Sequence, residues 1–274
     1  MIWIYIVIAA VLIPICDNFS NILREGYSWW LVPVLFIGFF LALIILHLAI
    51  VAVSILLINP SKPAKRLSGY YRWLINITLP MVFKLVRVKI EVTGEEKIPQ
   101  DTRFLLVCNH IHDFDPALLM CAFPKAELGF VGKKEIYSTM KFVAKIMHKL
   151  HGLPIDRENN REAVKTIIAA TKLITDDVAS VGIFPEGYCS ISGELLPMRN
   201  GAFKIAVKAK VPIVVCTLDN TRKILKNLFI RKTTVHIDVL DVINPTEYNV
   251  LDTVAIGERV YNTMNENILK RKGQ

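Results

Sequence analysis

A histidine and an aspartate five residues apart form the first pair in this sequence that could do acid–base chemistry. They lie in the segment 109–116, Asn-His-Ile-His-Asp-Phe-Asp-Pro, which directly follows a β-rich run, Phe104–Cys108. An imidazole at a strand end can accept a proton, and a carboxylate can fix its tautomer and stabilise the imidazolium that forms. The segment therefore predicts His110 as a general base and Asp115 as the group that orients it.

The same segment allows two other interpretations. Asp115 followed by Pro116 is a common helix start, so Asp113 or Asp115 could be only a helix cap. Alternatively, His110, His112 and Asp113 could be metal ligands, as in a metal-dependent lipid hydrolase. Loss of activity on chelation would support that alternative.

A second polar segment, 182–190, reads Gly-Ile-Phe-Pro-Glu-Gly-Tyr-Cys-Ser and also begins as a strand-like run. Glu186 supplies a carboxylate, Ser190 a hydroxyl, and Gly187 a flexible backbone for a polar ligand. Active residues in parallel α/β sheets gather at the carboxyl ends of strands, so both segments are candidates for one site. A turn that carries a solvated glutamate is the alternative.

Taken together, these segments and several others resemble the glycerolipid acyltransferase family, whose best-known members are the 1-acylglycerol-3-phosphate acyltransferases. The histidine–aspartate pair is followed by Phe-Pro-Glu-Gly at 184–187. The other similar blocks, in chain order, are Gly-Lys-Lys-Glu at 132–135, Gly-Leu-Pro-Ile-Asp-Arg at 152–157, Pro-Met-Arg-Asn-Gly-Ala-Phe-Lys at 197–204 and Val-Pro-Ile-Val-Val at 211–215. The resemblance runs from about Gly94 to Leu218, and ordered blocks are more specific than any single one.

The resemblance implies an enzyme that moves a fatty acyl group from an acyl thioester to the sn-2 hydroxyl of lysophosphatidate, giving phosphatidate. His110 would deprotonate the acceptor hydroxyl and Asp115 would hold His110, while Glu186 and Gly187 would seat the glycerol. The other candidates for substrate binding are Lys133, Lys134, Arg157, Ser190 and Arg199. No metal or bound cofactor is needed, because acyl-CoA or acyl carrier protein would enter as a co-substrate.

One position departs from the family pattern. The third block usually reads Phe-Pro-Glu-Gly-Thr-Arg-Ser, but Tyr188 and Cys189 stand here in place of Thr and Arg. A cation that would contact phosphate is thus missing, and Arg157, Arg199 or a lysine would have to compensate. Otherwise the acceptor is another lysophospholipid or a lipid-linked hydroxyl. A catalytically silent lipid-binding protein is the alternative from a different class, and the presence of the acid–base residues argues against it.

Strand and helix patterns alternate from Leu85 onward. This order predicts an α/β domain with a mixed, largely parallel sheet covered by helices. The predicted strands are Val86–Val92, Phe104–Cys108, Leu128–Val131, Val181–Phe184, Ile213–Leu218 and Thr233–Leu240. The predicted helices are Ile136–Leu150, Glu158–Ile174, Gly201–Ala209 and Tyr248–Leu269.

The N-terminal part of the chain is far more apolar than the rest. Two hydrophobic runs, Ile2–Ile15 and Trp29–Ile58, predict a membrane anchor of one or two helices over residues 1–58, with a tilt or a bend near Pro33 in the second. A basic interfacial linker helix over 59–84, broken at Pro80, and an α/β acyltransferase domain over 85–274 would follow.

The charges and cysteines indicate the compartment. Residues 59–274 hold 32 of the 33 lysines and arginines, and the formal net charge of the chain is +9. The basic residues that follow the second hydrophobic run are Lys62, Lys65, Arg66, Arg72, Lys84, Arg87 and Lys89. They predict the cell membrane as the location, with the catalytic domain on the cytoplasmic face against anionic headgroups. The expected partners are the bilayer, a lysophospholipid and an acidic acyl carrier, with no nucleic acid. Five scattered cysteines without a CxxC pair predict buried free thiols.

Overall fold

The computed structural model describes residues 2–20, 31–61, 69–248 and 251–273, without the side chains of residues 16–20. The chain divides into two compact units, Met1–Ile58 and Asn59–Gln274. The predictions that rest on Lys62, Lys65 and Arg66 concern residues outside those described.

The first unit contains two apolar helices, α1 (Ile2–Ser20) and α2 (Leu31–Leu56). Within the described ranges, α2 is the one helix whose length and composition suffice to cross a membrane, and Ile2–Ile15 is a shorter apolar stretch. Pro33 lies in the first turn of α2, where backbone N–H groups have no partner within the helix. It therefore removes no hydrogen bond, and α2 is continuous past it.

The second unit begins with α3 (Gly69–Leu85). The expectation that Pro80 breaks this helix is wrong, because Pro80 lies inside it. Phe83 is buried in the core of the unit, whereas Tyr70 and Trp73 on the same helix are exposed. The helix therefore packs through one face, and its interfacial role stays a prediction.

Two basic residues predicted to face lipid headgroups have partners within the protein, and one of them is buried. Arg72 is buried and its Nη2 donates to the carbonyl of Leu128, 3.2 Å away. Lys89 pairs with Glu91, with 2.6 Å between Nζ and Oε1. Burial lowers the pKa of Arg72 to about 10. Arg72 is thus a structural cation, and its assignment to the headgroup surface is wrong.

Seven strands form one mixed sheet in the order β1-β7-β6-β2-β5-β3-β4. They are β1 (Val88–Thr93), β2 (Leu105–Cys108), β3 (Gly129–Lys133), β4 (Leu153–Ile155), β5 (Val181–Ile183), β6 (Ile213–Asp219) and β7 (Thr233–Ile243). Among these strands every neighbouring pair is parallel except β6 with β7. The predicted mixed, largely parallel sheet is confirmed.

Helices connect the strands and cover both faces of the sheet. They are α4 (Asp115–Ala122), α5 (Lys134–Thr139), α6 (Lys141–Lys149), α7 (Asn160–Thr175), α8 (Lys204–Ala209), α9 (Lys223–Asn227), α10 (Pro245–Tyr248) and α11 (Thr253–Lys272). In β2, Leu105 and Val107 join one core with residues of α7, α8 and α11. Leu106 and Cys108 join the other with residues of α3 and α4. The strand is a continuous apolar run because both of its faces are buried.

The structure differs from the predicted elements in a few places. The predicted helix Ile136–Leu150 is two helices separated at Met140, whose φ of −106° and ψ of 69° are not helical. The three-residue strand β4 was missed because so short a run shows no alternation. The last helix begins at Thr253, where the Asp252 carboxylate accepts from Val254 N and Ala255 N. The four cysteines whose side chains are described are free thiols; Cys108 and Cys216 are buried, while Cys121 and Cys189 are half-buried.

The strand directions determine where polar segments meet. Because β2, β3, β4 and β5 are parallel, their carboxyl ends lie at one edge of the sheet. The segments 109–116 and 184–190 therefore converge there, together with the residues that follow β3 and β4.

Candidate active site

His110 and Asp115 form a buried hydrogen-bonded pair just beyond β2. His110 Nδ1 donates to Asp115 Oδ2 across 2.8 Å, and Asp115 is fully buried. The same oxygen accepts the backbone N–H groups of Ile111 at 2.6 Å and His112 at 2.8 Å. Asp115 is the first residue of α4, but its side chain turns back to the preceding loop and makes no capping bond. The interpretation of Asp115 as only a helix cap is wrong.

Glu186 holds the loop that carries His110. Its Oε1 accepts the backbone N–H of His110 at 2.6 Å, and its Oε2 accepts that of Leu196 at 2.7 Å. Burial raises the pKa of Glu186, and these two hydrogen bonds partly offset the rise. Both oxygens are thus engaged with the protein, although each keeps a further lone pair for a ligand hydroxyl. Glu186 is a positioning residue, and its contact with the glycerol stays a prediction.

The imidazole of His110 rests on a column of aromatic rings. Its centroid lies 4.2 Å from that of Phe184, at 16° between the planes. Phe184 in turn lies 5.8 Å from Phe130, at 15°. A Cβ on Gly182 would come within 2.3 Å of the Phe130 ring, so the column needs glycine at that position. Sequence analysis missed this column, because nothing in the local pattern pairs a ring of β3 with one beyond β5.

The surroundings of His110 favour its protonated form. Burial by itself would lower the pKa of His110, but hydrogen bonds to Asp115 and Cys189 and the negative charge of Asp115 outweigh burial and raise it to about 9. At neutral pH the resting ring is therefore an imidazolium, protonated on both nitrogens, and Asp115 stabilises its charge.

Two guanidinium groups lie beside Tyr188. The Cζ atoms of Arg157 and Arg199 are 5.2 and 5.4 Å from the centre of its ring, and Arg199 Nη1 donates to the Arg157 carbonyl at 3.2 Å. The Tyr188 hydroxyl donates to a carboxylate oxygen of Glu158 at 3.1 Å. Gly187 has a φ of 78°, and a Cβ there would lie 2.8 Å from Arg199 Nε. Gly187 thus leaves room for Arg199 beside the site.

The two arginines stand next to the position where Cys189 replaces the family's arginine. Burial lowers the pKa of Arg157, and the neighbouring charge of Arg199 lowers it further. An anion that contacted both guanidinium groups would relieve their repulsion and could accept paired hydrogen bonds from each. The arrangement is thus suited to a phosphate.

The remaining candidates lie around this centre. Lys133 ends β3 and Lys134 begins α5, where Lys134 Nζ is 3.4 Å from an oxygen of Asp156. Lys133 is paired in register with Ile155, so it leaves the sheet at the same edge as Arg157. Ser190 is buried and its hydroxyl donates to the Glu194 carbonyl, which ties its side chain into its own loop.

The metal ligands proposed from the sequence do not form one group. Within the described residues, the atoms that come together are from His110, Asp113 and Cys189, and they lie within 4.8 Å of one another. His112 is absent from that group; its Nδ1 accepts the backbone N–H of Phe114 at 3.4 Å. The alternative in which His110, His112 and Asp113 are metal ligands is therefore wrong.

Comparison with known proteins identifies the family. The protein-family model described as "Acyltransferase" matches residues 89–219. The chain is 31% identical over 168 residues to the 1-acyl-sn-glycerol-3-phosphate acyltransferase of Haemophilus influenzae, covering 59% of this chain and 69% of that protein. It is 29% identical over 192 residues to the probable enzyme of the same name from Mycoplasma pneumoniae, covering 65% and 71%. It is 31% identical over 130 residues to that of Bacillus subtilis, covering 47% and 62%.

A solved structure shares the fold. The 1-acyl-sn-glycerophosphate acyltransferase of Thermotoga maritima superposes with a TM-score of 0.64 at 21% identity, over 84% of this chain and 90% of that one. The family model and the relatives show that the protein is an acyltransferase. The chain belongs to the glycerolipid acyltransferase family, as its ordered sequence blocks predicted.

Proposed function

We propose that this enzyme transfers a fatty acyl group from an acyl thioester to the sn-2 hydroxyl of lysophosphatidate, giving phosphatidate for phospholipid synthesis. The observation that carries the proposal is the buried His110–Asp115 pair, joined through the segment 186–189 to the arginines beside Tyr188. The names of the relatives from Haemophilus influenzae and Bacillus subtilis support the choice of acceptor.

The chemistry follows from which atoms of His110 are engaged. Nδ1 is held by Asp115, so Nε2 accepts the proton of the acceptor hydroxyl. The hydroxyl oxygen attacks the thioester carbonyl and a C–O bond forms; the C–S bond then breaks. The leaving thiolate takes the proton back from His110. Asp115 stabilises the intermediate imidazolium and keeps the ring oriented. Arg157 and Arg199 bind the acceptor phosphate and take over the role of the missing arginine.

Arg157→Ala should raise the KM for lysophosphatidate by about 10- to 100-fold with little change in kcat, because it removes charged hydrogen bonds made equally in ground and transition states. Arg157→Lys should recover only part of the affinity, since a lysine cannot bind an anion with two parallel bonds. Arg161→Ala removes a nearby exposed arginine and is the matched control. Initial rates at varied acceptor concentration give both constants, and an unchanged KM in Arg157→Ala would contradict the phosphate role.

The rate of transfer should rise with pH. The base must be neutral, and the pKa of His110 is raised to about 9, so kcat/KM should increase about tenfold per pH unit below that value. The same shift favours the folded state below the usual histidine value of 6.5, and that stability is lost as the pH rises through about 9. Rates measured from pH 6 to 10 test this, and a flat profile between 6 and 8 would refute it.

We also propose a location and an organisation for the chain. Residues 1–58 act as the membrane anchor, 59–84 as the interfacial linker, and 85–274 as the catalytic domain on the cytoplasmic face of the cell membrane. The length and apolar composition of α2 support the anchor. The net charge of +9 suits an acidic donor, acyl-CoA or acyl carrier protein, and the reaction as written uses no metal or bound cofactor.

A second candidate keeps the chemistry and changes the acceptor to another lysophospholipid or a lipid-linked hydroxyl. Cys189 in the usual place of an arginine is the observation that favours it. The deciding experiment offers the purified full chain in detergent a labelled acyl thioester and a panel of lysophospholipids that includes lysophosphatidate. Transfer mainly to lysophosphatidate supports the proposal, transfer to a different acceptor supports the second candidate, and no transfer with either donor overturns both.

A further inference from the structure

Three side chains of different chemistry meet at the histidine of the active site. Cys189 Sγ lies 3.9 Å from Asp113 Oδ1, and both lie within 4.8 Å of a ring nitrogen of His110. Asp113 is exposed and Cys189 is half-buried, so solutes can reach them. In the acyl transfer proposed above, Asp113 has no part, and Cys189 acts only through the pKa of His110.

An imidazole nitrogen, a carboxylate oxygen and a cysteine sulfur are donor atoms that a borderline-soft metal ion binds. Zinc binds thiolate, imidazole and carboxylate, with metal–ligand distances of about 2.0–2.3 Å and tetrahedral angles. Two such ligands are then about 3.4–3.6 Å apart, so atoms now within 4.8 Å of one another would have to approach by about 1.4 Å at most. Mg²⁺ and Ca²⁺ prefer sets made of oxygen atoms and fit this one poorly.

The hydrogen bond between His110 and Asp115 also suits a histidine that binds a metal. Histidines that bind metals usually donate their other ring N–H to a carboxylate, which fixes the ring and raises its basicity. Asp115 does this for Nδ1 at 2.8 Å, which leaves Nε2 for the ion. Three protein ligands leave the fourth position for water. The arginine that the family usually has at position 189 would supply no ligand atom and would repel a cation.

We propose that His110, Asp113 and Cys189 bind Zn²⁺, and that the bound ion reversibly blocks acyl transfer. Inhibition follows because the ion occupies the nitrogen lone pair that must accept the hydroxyl proton. The inhibitory consequence rests on the proposed function, whereas binding of the ion does not.

Binding is tested first, without any acyl substrate. Co²⁺ added to the purified full chain in detergent should produce the ultraviolet band of a cobalt–thiolate bond and the visible bands of a tetrahedral site, and Zn²⁺ should displace them. Cys189→Ser should lose the thiolate band and bind Zn²⁺ at least 10-fold more weakly. Cys121→Ser is the matched control, because Cys121 is another half-buried free thiol in the same unit and should leave the band unchanged. A band that persists in Cys189→Ser, or no band in the wild type, would overturn the proposal.

Inhibition is tested on each protein against its own metal-free rate. Zn²⁺ should inhibit wild-type transfer, EDTA should restore it, and Mg²⁺ should have no effect. The inhibitory Zn²⁺ concentration should rise at least 10-fold in Cys189→Ser and also in Asp113→Asn. Equal inhibition of wild type and Cys189→Ser would overturn the inference while leaving the acyltransferase proposal intact. A chain that acylates no acceptor would overturn that proposal, and the Co²⁺ spectrum would still decide on the metal site.

Discussion

His110→Ala is expected to reduce acyl transfer by about 10²- to 10⁴-fold, the usual contribution of a positioned general base. Without the imidazole, the hydroxyl proton loses the acceptor that the proposed mechanism assigns to it. The fold should survive, because Asp115 keeps its bonds to the backbone N–H groups of Ile111 and His112. We expect a cost of about 1–3 kcal/mol in the free energy of unfolding, from the lost hydrogen bond and the space left beside Phe184.

The measurement combines steady-state kinetics of acyl transfer with thermal unfolding followed by circular dichroism. His112→Ala is the control, because His112 is two residues away and its ring packs on Phe114 instead of Phe184. It should keep most of the activity. Wild-type turnover in a folded His110→Ala protein would rule out His110 as the base.

Asp115→Asn is expected to have the next largest effect, a fall in kcat of about 10²- to 10⁴-fold by analogy with other carboxylates that orient a catalytic histidine. An amide is uncharged and cannot stabilise the imidazolium. Its NH₂ group can also face the ring and favour the wrong tautomer. If that NH₂ takes the place of Oδ1, it is buried with no acceptor among the described residues, which costs stability.

The pH profile separates an orienting role from a purely structural one. Asp115 raises the pKa of His110, so Asp115→Asn should shift the acid limb of the profile to lower pH while it lowers the plateau. The control is Asp113→Asn, assayed without added metal. Asp113 makes no hydrogen bond to His110, so the substitution removes none. A slower variant with an unshifted limb would show that Asp115 acts on the fold alone.

Much of the site could be predicted because its key residues are close in the chain. His110 and Asp115 are separated by one loop, and the end of β2 places that loop at the sheet edge. The α/β fold was predictable from alternating strand and helix patterns, since buried strands with both faces covered are continuously apolar. The sequence blocks that resemble the family made Arg157 and Arg199 further candidates for the site.

The remainder depends on contacts between distant segments, which local spacing does not encode. Cys189, and not His112, completes the group with His110 and Asp113, because the parallel strands β2 and β5 end side by side. Arg72 was assigned to the membrane surface by its charge alone, but tertiary packing places its guanidinium against the carbonyl of Leu128. A local rule predicts a helix break at Pro80, and the packing of α3 through one face overrides that rule.

The ring column beneath His110 limits how this enzyme can diverge. The position of the imidazole depends on Phe184, that of Phe184 on Phe130, and that of Phe130 on the absence of a side chain at Gly182. A substitution at Gly182, which is buried in β5, would therefore displace the stacked rings of Phe130 and Phe184 and, with them, the catalytic nitrogen of His110. Even the smallest substitution there, to alanine, would require a compensating change at residue 130 in the same lineage.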